Sequence, residues 1–263
     1  MGNAYKGANQ WKVKSCNFVT GCSHNCLYCF SKASAVYRKS KTRESWKEET
    51  INRKQLRKKQ QRVLNGRIMF PSTHDISPTH LKESIQFIRN ILVAGNEILI
   101  VSKPHLKCIE AICNEFLDYK ERILFRFTIG STNDETLRFW EPGAPSFDER
   151  MSSLRYAYDA GYATSISCEP MLDSKIGDVI SIVRPYVTHS IWLGTMNNME
   201  WRLPTNNDLT QELKDRANQL YAWQSDEEIK ALYERFKNDS LIRWKNEIKM
   251  IVGLPIGEIG SDE

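Results

Sequence analysis

Short apolar runs alternate with amphipathic stretches through most of this chain, and the alternation predicts a parallel α/β architecture. Residues 11–20 read as a first strand that delivers the chain into a cysteine-containing loop. A helix is expected from Phe30 through Tyr37, resuming over 52–64 after a polar linker. The apolar run 67–70 is ended by Pro71. Ser77 before Pro78 then predicts a helix start, because Ser accepts from unpaired N–H groups and Pro has none to leave unpaired. That helix places Leu81, Ile85, Ile88 and Leu92 on one face and stops at Gly95.

The unit then repeats. The run Ile98-Leu99-Ile100-Val101 is uninterrupted, as in strands buried on both faces of a parallel sheet, and a helix with Leu106, Ile109, Cys113 and Phe116 inward follows. A fourth strand is expected over 123–129, a helix opened by the Ser146-x-x-Glu149 capping box and closed by Gly161, and a fifth strand over 163–168. A short helix over 176–184 and a sixth strand over 187–193 complete the series. Right-handed crossovers curl six such units into a partial (β/α)6 TIM-like barrel spanning 1–200. After Trp201 the pattern predicts helices without strands, over 208–223, from the Ser225 cap, and over 241–252. Residues 201–263 are therefore expected to form a helical C-terminal appendage with a loose tail from Gly253.

Composition adds little beyond class: 41% hydrophobic and 26% charged residues are those of a globular protein. No apolar run approaches membrane-spanning length, and Met1-Gly2-Asn3-Ala4-Tyr5-Lys6 lacks a signal-peptide core, so the cytoplasm is expected, with no membrane partner. Lys6 stands where a myristoylation signal would need Ser or Thr. Seven cysteines, an odd number, argue for a reducing compartment rather than a disulfide framework. Charge is more informative. From Arg38 to Arg67 twelve Lys or Arg stand against three Glu, a local balance of +9 in a chain of net +5. Such a stretch would attract phosphates, making nucleic acid or a nucleotide a candidate substrate, although cations coat ordinary solvated helices too.

The chemistry centres on Cys22-Ser23-His24-Asn25-Cys26-Leu27-Tyr28-Cys29-Phe30, three cysteines spaced C-x-x-x-C-x-x-C. Three thiolates can hold three irons of a [4Fe–4S] cube and leave the fourth iron open, since a closed cube takes four. The alternative is a zinc knuckle completed by Cys16 or His24, in a non-catalytic nucleic-acid-binding module. Zinc modules usually pair two knuckles, and the chain has no second C-x-x-C.

The spacing, with Tyr28 before the last cysteine and Phe30 after it, resembles the signature of radical S-adenosylmethionine (SAM) enzymes. The resemblance implies a [4Fe–4S] cluster on Cys22, Cys26 and Cys29, and SAM chelated to the open iron through its amino and carboxylate groups. It also implies cleavage of SAM to a 5′-deoxyadenosyl radical, with an electron donor such as flavodoxin or ferredoxin. Phe127-Thr128-Ile129-Gly130-Ser131, Trp140-Glu141-Pro142, Glu149-Arg150, Ala160-Gly161-Tyr162 and Glu169-Pro170-Met171 look like the branch of spore photoproduct lyase and its relatives. By that likeness the SAM carboxylate falls to Lys103 and Ser131, the amino group to Ser72, Thr73, His74 and Asp75, and the ribose to Ser131 or Glu169, with Tyr28 beside the cofactor.

Two departures speak against the lyase reaction itself. Phe70-Pro71-Ser72-Thr73 carries no cysteine where the lyase has its hydrogen donor, and little chain follows the barrel for the family's DNA-contacting C-terminal part. Cys168, the last residue of strand five, is the candidate donor here, with burial as a small apolar side chain its alternative. Glu141-Pro142 reads equally as a plain turn.

Overall fold

The computed structural model describes residues 7–261. Met1 to Lys6, on which the readings about leader and myristoyl signals rest, lie outside the described residues. The first expected strand divides in two, and neither part is long: β1 (Lys14–Ser15) joins the main sheet, whereas β2 (Val19–Thr20) turns away and pairs antiparallel with β3 (Thr50–Ile51). Between them α1 (Phe30–Tyr37) follows the cysteine loop, and α2 (Arg53–Arg57) is all that forms of the helix expected over 52–64. In the rest of that stretch the chain instead binds Asn96, whose side chain accepts from Val63 N at 2.7 Å and donates to Gln61 O at 3.2 Å.

From there the predicted alternation holds: β4 (Arg67–Phe70), α3 (Leu81–Val93), β5 (Glu97–Ser102), α4 (Leu106–Glu115) and β6 (Ile123–Thr128). Next come α5 (Asp134–Trp140), α6 (Phe147–Asp159), β7 (Ala163–Cys168), α7 (Ile176–Val183) and β8 (Ser190–Leu193). Then follow α8 (Met199–Asn206), α9 (Gln211–Trp223), α10 (Asp226–Phe236), β9 (Ile242–Trp244) and α11 (Asn246–Val252). The order across the main sheet is β1-β4-β5-β6-β7-β8-β9, every neighbouring pair parallel. The sheet is open.

Two corrections concern the C-terminal part. The expectation of helices alone after Trp201 fails at Ile242–Trp244, which adds a seventh strand against β8, so this part completes the sheet. Nor is the tail loose over its described residues. Gly260 N donates to Asn9 O at 2.9 Å and Gly257 N to Asn246 Oδ1 at 3.2 Å, tying the chain end to its beginning.

The two faces of the sheet differ in chemistry, and strand alternation sorts the residues between them. Ile98, Ile100, Phe125, Phe127, Ile166, Ile191 and Leu193 point to the helices and form the main core. On the other face Met69, Leu99, Leu124 and Trp192 pack with Trp11. Arg126 and Lys245 are fully buried there, with the Arg126 guanidinium 4.7 Å and the Lys245 ammonium 4.1 Å from the Trp11 ring. The apolar inner layer thus closes the interior below the strand ends and leaves the space above them for a ligand.

Candidate active site

At the carboxyl ends of the strands lies a cavity of about 530 Å³, a size suited to a small-molecule ligand. Cys22, Cys26 and Cys29 line it together with Tyr28, Ser72, Thr73, His74, Asp75, Lys103 and Glu169. These candidates come from three loops and two strand ends separated by up to about 150 residues, and the fold brings them to one space.

The cysteine loop is clamped from outside. Cys22 N donates to Trp46 O at 2.9 Å, Leu27 N to Trp140 O at 2.9 Å and Gly143 N to His24 O at 3.0 Å. Asn206 Nδ2 donates to the carbonyls of Leu27 and Cys29, each at 2.9 Å. Gly21 adopts φ +97°, and a Cβ there would collide with the Glu48 carbonyl, so glycine is required where the chain enters the loop. Cys29 caps α1, its Sγ accepting from Lys32 N at 3.3 Å, which turns the last thiol toward the cavity.

Beneath the loop sits Glu141, 1% exposed. Tyr28 donates its hydroxyl to Glu141 Oε1, Arg150 lies 2.6 Å from Oε2 and Lys103 Nζ 3.8 Å from Oε1. Burial opposes ionisation of Glu141, but Arg150 and Lys103 outweigh it and hold the carboxyl below its usual range. Burial likewise lowers the pKa of Lys103, yet Cys26, Glu141 and Asp75 overcome it and raise the net value, so Lys103 keeps its charge at the cavity wall. The turn reading of Glu141-Pro142 is too modest: this carboxylate is the anchor of the tyrosine and the lysine.

Asp75 is a second hub. Its Oδ1 accepts from Ile76 N at 2.7 Å and from the Ser102 hydroxyl, and its Oδ2 accepts from Lys103 N at 2.8 Å and faces His24 Nδ1 at 3.2 Å. Burial raises its pKa, but His24 more than reverses this and Asp75 stays ionised. His24 continues to His105 (3.3 Å), and His105 to Glu149 (3.3 Å). Nearby, Asn17 holds Ser72 and Thr73 through Ser72 N (2.8 Å) and Thr73 N (3.1 Å). His74 packs edge-on against Phe18 and Phe70, burial lowers its pKa, and its Nε2 has no hydrogen-bond partner.

Two candidates are not brought to the cavity. Ser131 is sealed behind it, its hydroxyl donating to Asp173 and accepting from Asn133 N at 2.9 Å. Cys168 faces the helical layer within the main core. The reason is alternation: Ser165 and Ser167 share a face with Arg126 and Thr128, so Cys168 must point the other way. Burial also raises its thiol pKa far above the usual value. Glu169, one residue on, does reach the cavity, with Lys245 Nζ 3.3 Å from its Oε2. Missing from the candidates were Arg202, on a helix that Pro204 obscures in the sequence, and His24 as a site residue rather than a zinc ligand.

The thiols fit an iron–sulfur cluster better than zinc. The fourth ligands proposed for zinc are engaged elsewhere: Cys16 Sγ contacts Gln60 Oε1 at 3.4 Å in the main core, and His24 bridges Asp75 and His105. Among the described residues no three His, Cys, Asp or Glu side chains are set around one ion, whereas thiolates on a cube each bind a different iron. Burial pushes the Cys26 thiol up to about 12 and raises that of Cys22 well above its usual value, so both would ionise only against added cations. Irons bound there would supply that charge.

The radical SAM superfamily model matches residues 16–172. Among solved structures, a double mutant of spore photoproduct lyase with bound AdoMet and dinucleoside spore photoproduct superposes with TM-score 0.57 at 16% identity, over 87% of this chain and 74% of that one. Spore photoproduct lyase complexed with dinucleoside spore photoproduct gives TM-score 0.52 at 17% identity over 88% and 75%. SuiB of Streptococcus suis bound to S-adenosylmethionine gives 0.51 at 10% identity over 89% of this chain and 50% of SuiB, so the chain spans half of that protein. At such identities the likeness is one of fold. None of the curated proteins compared with the chain matches it. The family match covers more than half of the sequence and includes the cysteine loop, Lys103 and Glu169, and the chain belongs to the radical SAM superfamily of enzymes.

Proposed function

We propose that this enzyme holds a [4Fe–4S] cluster on Cys22, Cys26 and Cys29, binds SAM in the adjoining cavity and directs radical chemistry at a second substrate, a nucleic acid or nucleotide. The observation that carries the reading is the convergence of three thiols and a buried, charged lysine on one cavity at the strand ends. The cluster would supply the electron that cleaves SAM to a 5′-deoxyadenosyl radical.

The chain's own residues orient and shield. Lys103 offers a fixed cation to the SAM carboxylate, and its charge is secured by Glu141. Asp75 sets the position of the Lys103 backbone. Ser72, Thr73 and the free Nε2 of His74 present polar groups on the neighbouring loop, and Glu169, held by Lys245, offers a carboxylate for ribose hydroxyls. Met69, Val101, Met196 and Pro170 give the cavity apolar walls that keep water from a reactive intermediate. Cys168 is no longer proposed as hydrogen donor, and Ser131 no longer as a SAM contact. A reductant of the flavodoxin or ferredoxin kind remains part of the proposal.

Anaerobic reconstitution with iron and sulfide tests the reading. About four irons per chain, with release of 5′-deoxyadenosine from SAM on reduction, supports it. Stoichiometric tight zinc with no SAM turnover would replace it by a binding module.

A further inference from the structure

The linear basic stretch does not form one surface. Residues 53–62 run toward the amino-terminal end of β5, where Arg62 packs beside Gly95, and this lies at the opposite pole of the sheet from the cavity. Only residues 38–43 stay near the rim, with Arg43 bound to the carbonyls of Pro204 and Thr205 on α8.

At that rim α1 and α8 expose three aromatic rings in a row. Phe30 is 55% exposed, Trp201 36% and Tyr37 74%, with ring centroids 5.9 Å apart from Phe30 to Trp201 and 6.5 Å from Trp201 to Tyr37. Phe30 also lines the cavity, so the row begins at its mouth. Contiguous exposed rings are costly in water unless something covers them. Their neighbours are cations: the Arg202 guanidinium lies 5.4 Å from the Phe30 ring with its Nε lacking a hydrogen-bond partner, and Arg38 and Lys39 follow Tyr37 fully exposed. Among the described residues neither Arg38 nor Lys39 is ion-paired.

We infer that Phe30, Trp201 and Tyr37 form a stacking platform for single-stranded nucleic acid, with phosphates taken by Arg202, Arg38 and Lys39, that feeds a nucleotide into the cavity mouth. Rings spaced along a cationic track suit unpaired bases, whose faces are free to stack, and do not suit duplex, whose bases are already stacked. The inference rests on the proposal that the substrate is a nucleic acid.

Fluorescence anisotropy with a fluorescein-labelled oligothymidylate and an oligouridylate, each about twelve nucleotides long, tests it without any loaded cofactor. Tyr37→Ala and Trp201→Ala should each weaken binding by roughly tenfold while leaving the salt slope unchanged, because stacking releases no counterions. Arg38→Ala with Lys39→Ala should flatten that slope by about two. Tyr37 is so exposed that its replacement leaves the fold intact, which circular dichroism and thermal unfolding verify. Binding of the parent that is indifferent to both aromatic replacements, or stronger for duplex of the same length, overturns the platform alone. No binding to either strand at low salt overturns the nucleic-acid substrate as well.

Discussion

Arg150 lies 2.6 Å from Glu141, and both side chains are sealed from solvent. The guanidinium is also spent on the carbonyls of Pro145 (2.9 Å) and Thr128 (3.2 Å), so the pair joins the start of α6 to the end of β6 beneath the cysteine loop. Its purpose is positional, because Glu141 in turn holds Tyr28 and Lys103. Arg150→Met leaves a buried carboxylate without its main partner and should cost roughly 3–5 kcal/mol, read as a lowered unfolding midpoint. Glu141→Gln should cost less but should loosen Lys103, raising the concentration of SAM needed for half-saturation. An unchanged midpoint in Arg150→Met would show that the pair is dispensable.

Replacing Cys22, Cys26 or Cys29 by Ala should each abolish cluster assembly, measured as iron bound after reconstitution, since nothing else lining the cavity offers a thiol. Cys16→Ala and Cys168→Ala should retain full iron content, because both thiols lie in the main core. Loss of iron in Cys16→Ala would restore a four-cysteine site.

Lys103→Ala should reduce SAM affinity about ten- to a hundredfold at constant iron content, the loss of a charge-assisted hydrogen bond worth about 1.5–3 kcal/mol. Calorimetric titration with SAM measures this directly. Ser131→Ala should leave the affinity unaltered, its hydroxyl being committed to Asp173.

A pH prediction follows from Glu247. Burial, then the nearby Glu169, raise its pKa from 4.5 to about 7, against the pull of Lys245. The folded chain therefore binds more protons here than the unfolded one, so stability falls as pH rises from about 5 to about 8. The loss is about 3 kcal/mol at most at about 1.4 kcal/mol per unit. Unfolding by urea across that range should show the decline, and Glu247→Gln should flatten it. An identical slope in the variant would assign the pH dependence to other groups.

How much of this was legible in the sequence depends on length and on locality. Continuous apolar runs such as Ile98–Val101 announced their strands because burial on both faces leaves no polar position. Ile242-Arg243-Trp244 did not, since three residues set no period and the capping and helical signals around them dominated. The helix Met199–Asn206 was hidden by Pro204. For Cys168 the signal was present but unused: it and Glu169 are adjacent on a strand, and adjacent strand residues cannot both face the cavity.

By itself the sequence determined the cysteine loop, the order of most strands and helices, and the family, because thiol spacing and hydrophobic period are properties of a few neighbouring residues. Only the tertiary structure decided which strand-end groups meet. It placed Lys103 against Glu141 and Glu141 against Arg150, withdrew Ser131 and Cys168, and divided the basic run between two poles of the sheet. The physical reason is that a buried charge is stable only beside its partner, and the partner is chosen by packing across the fold rather than by distance along the chain.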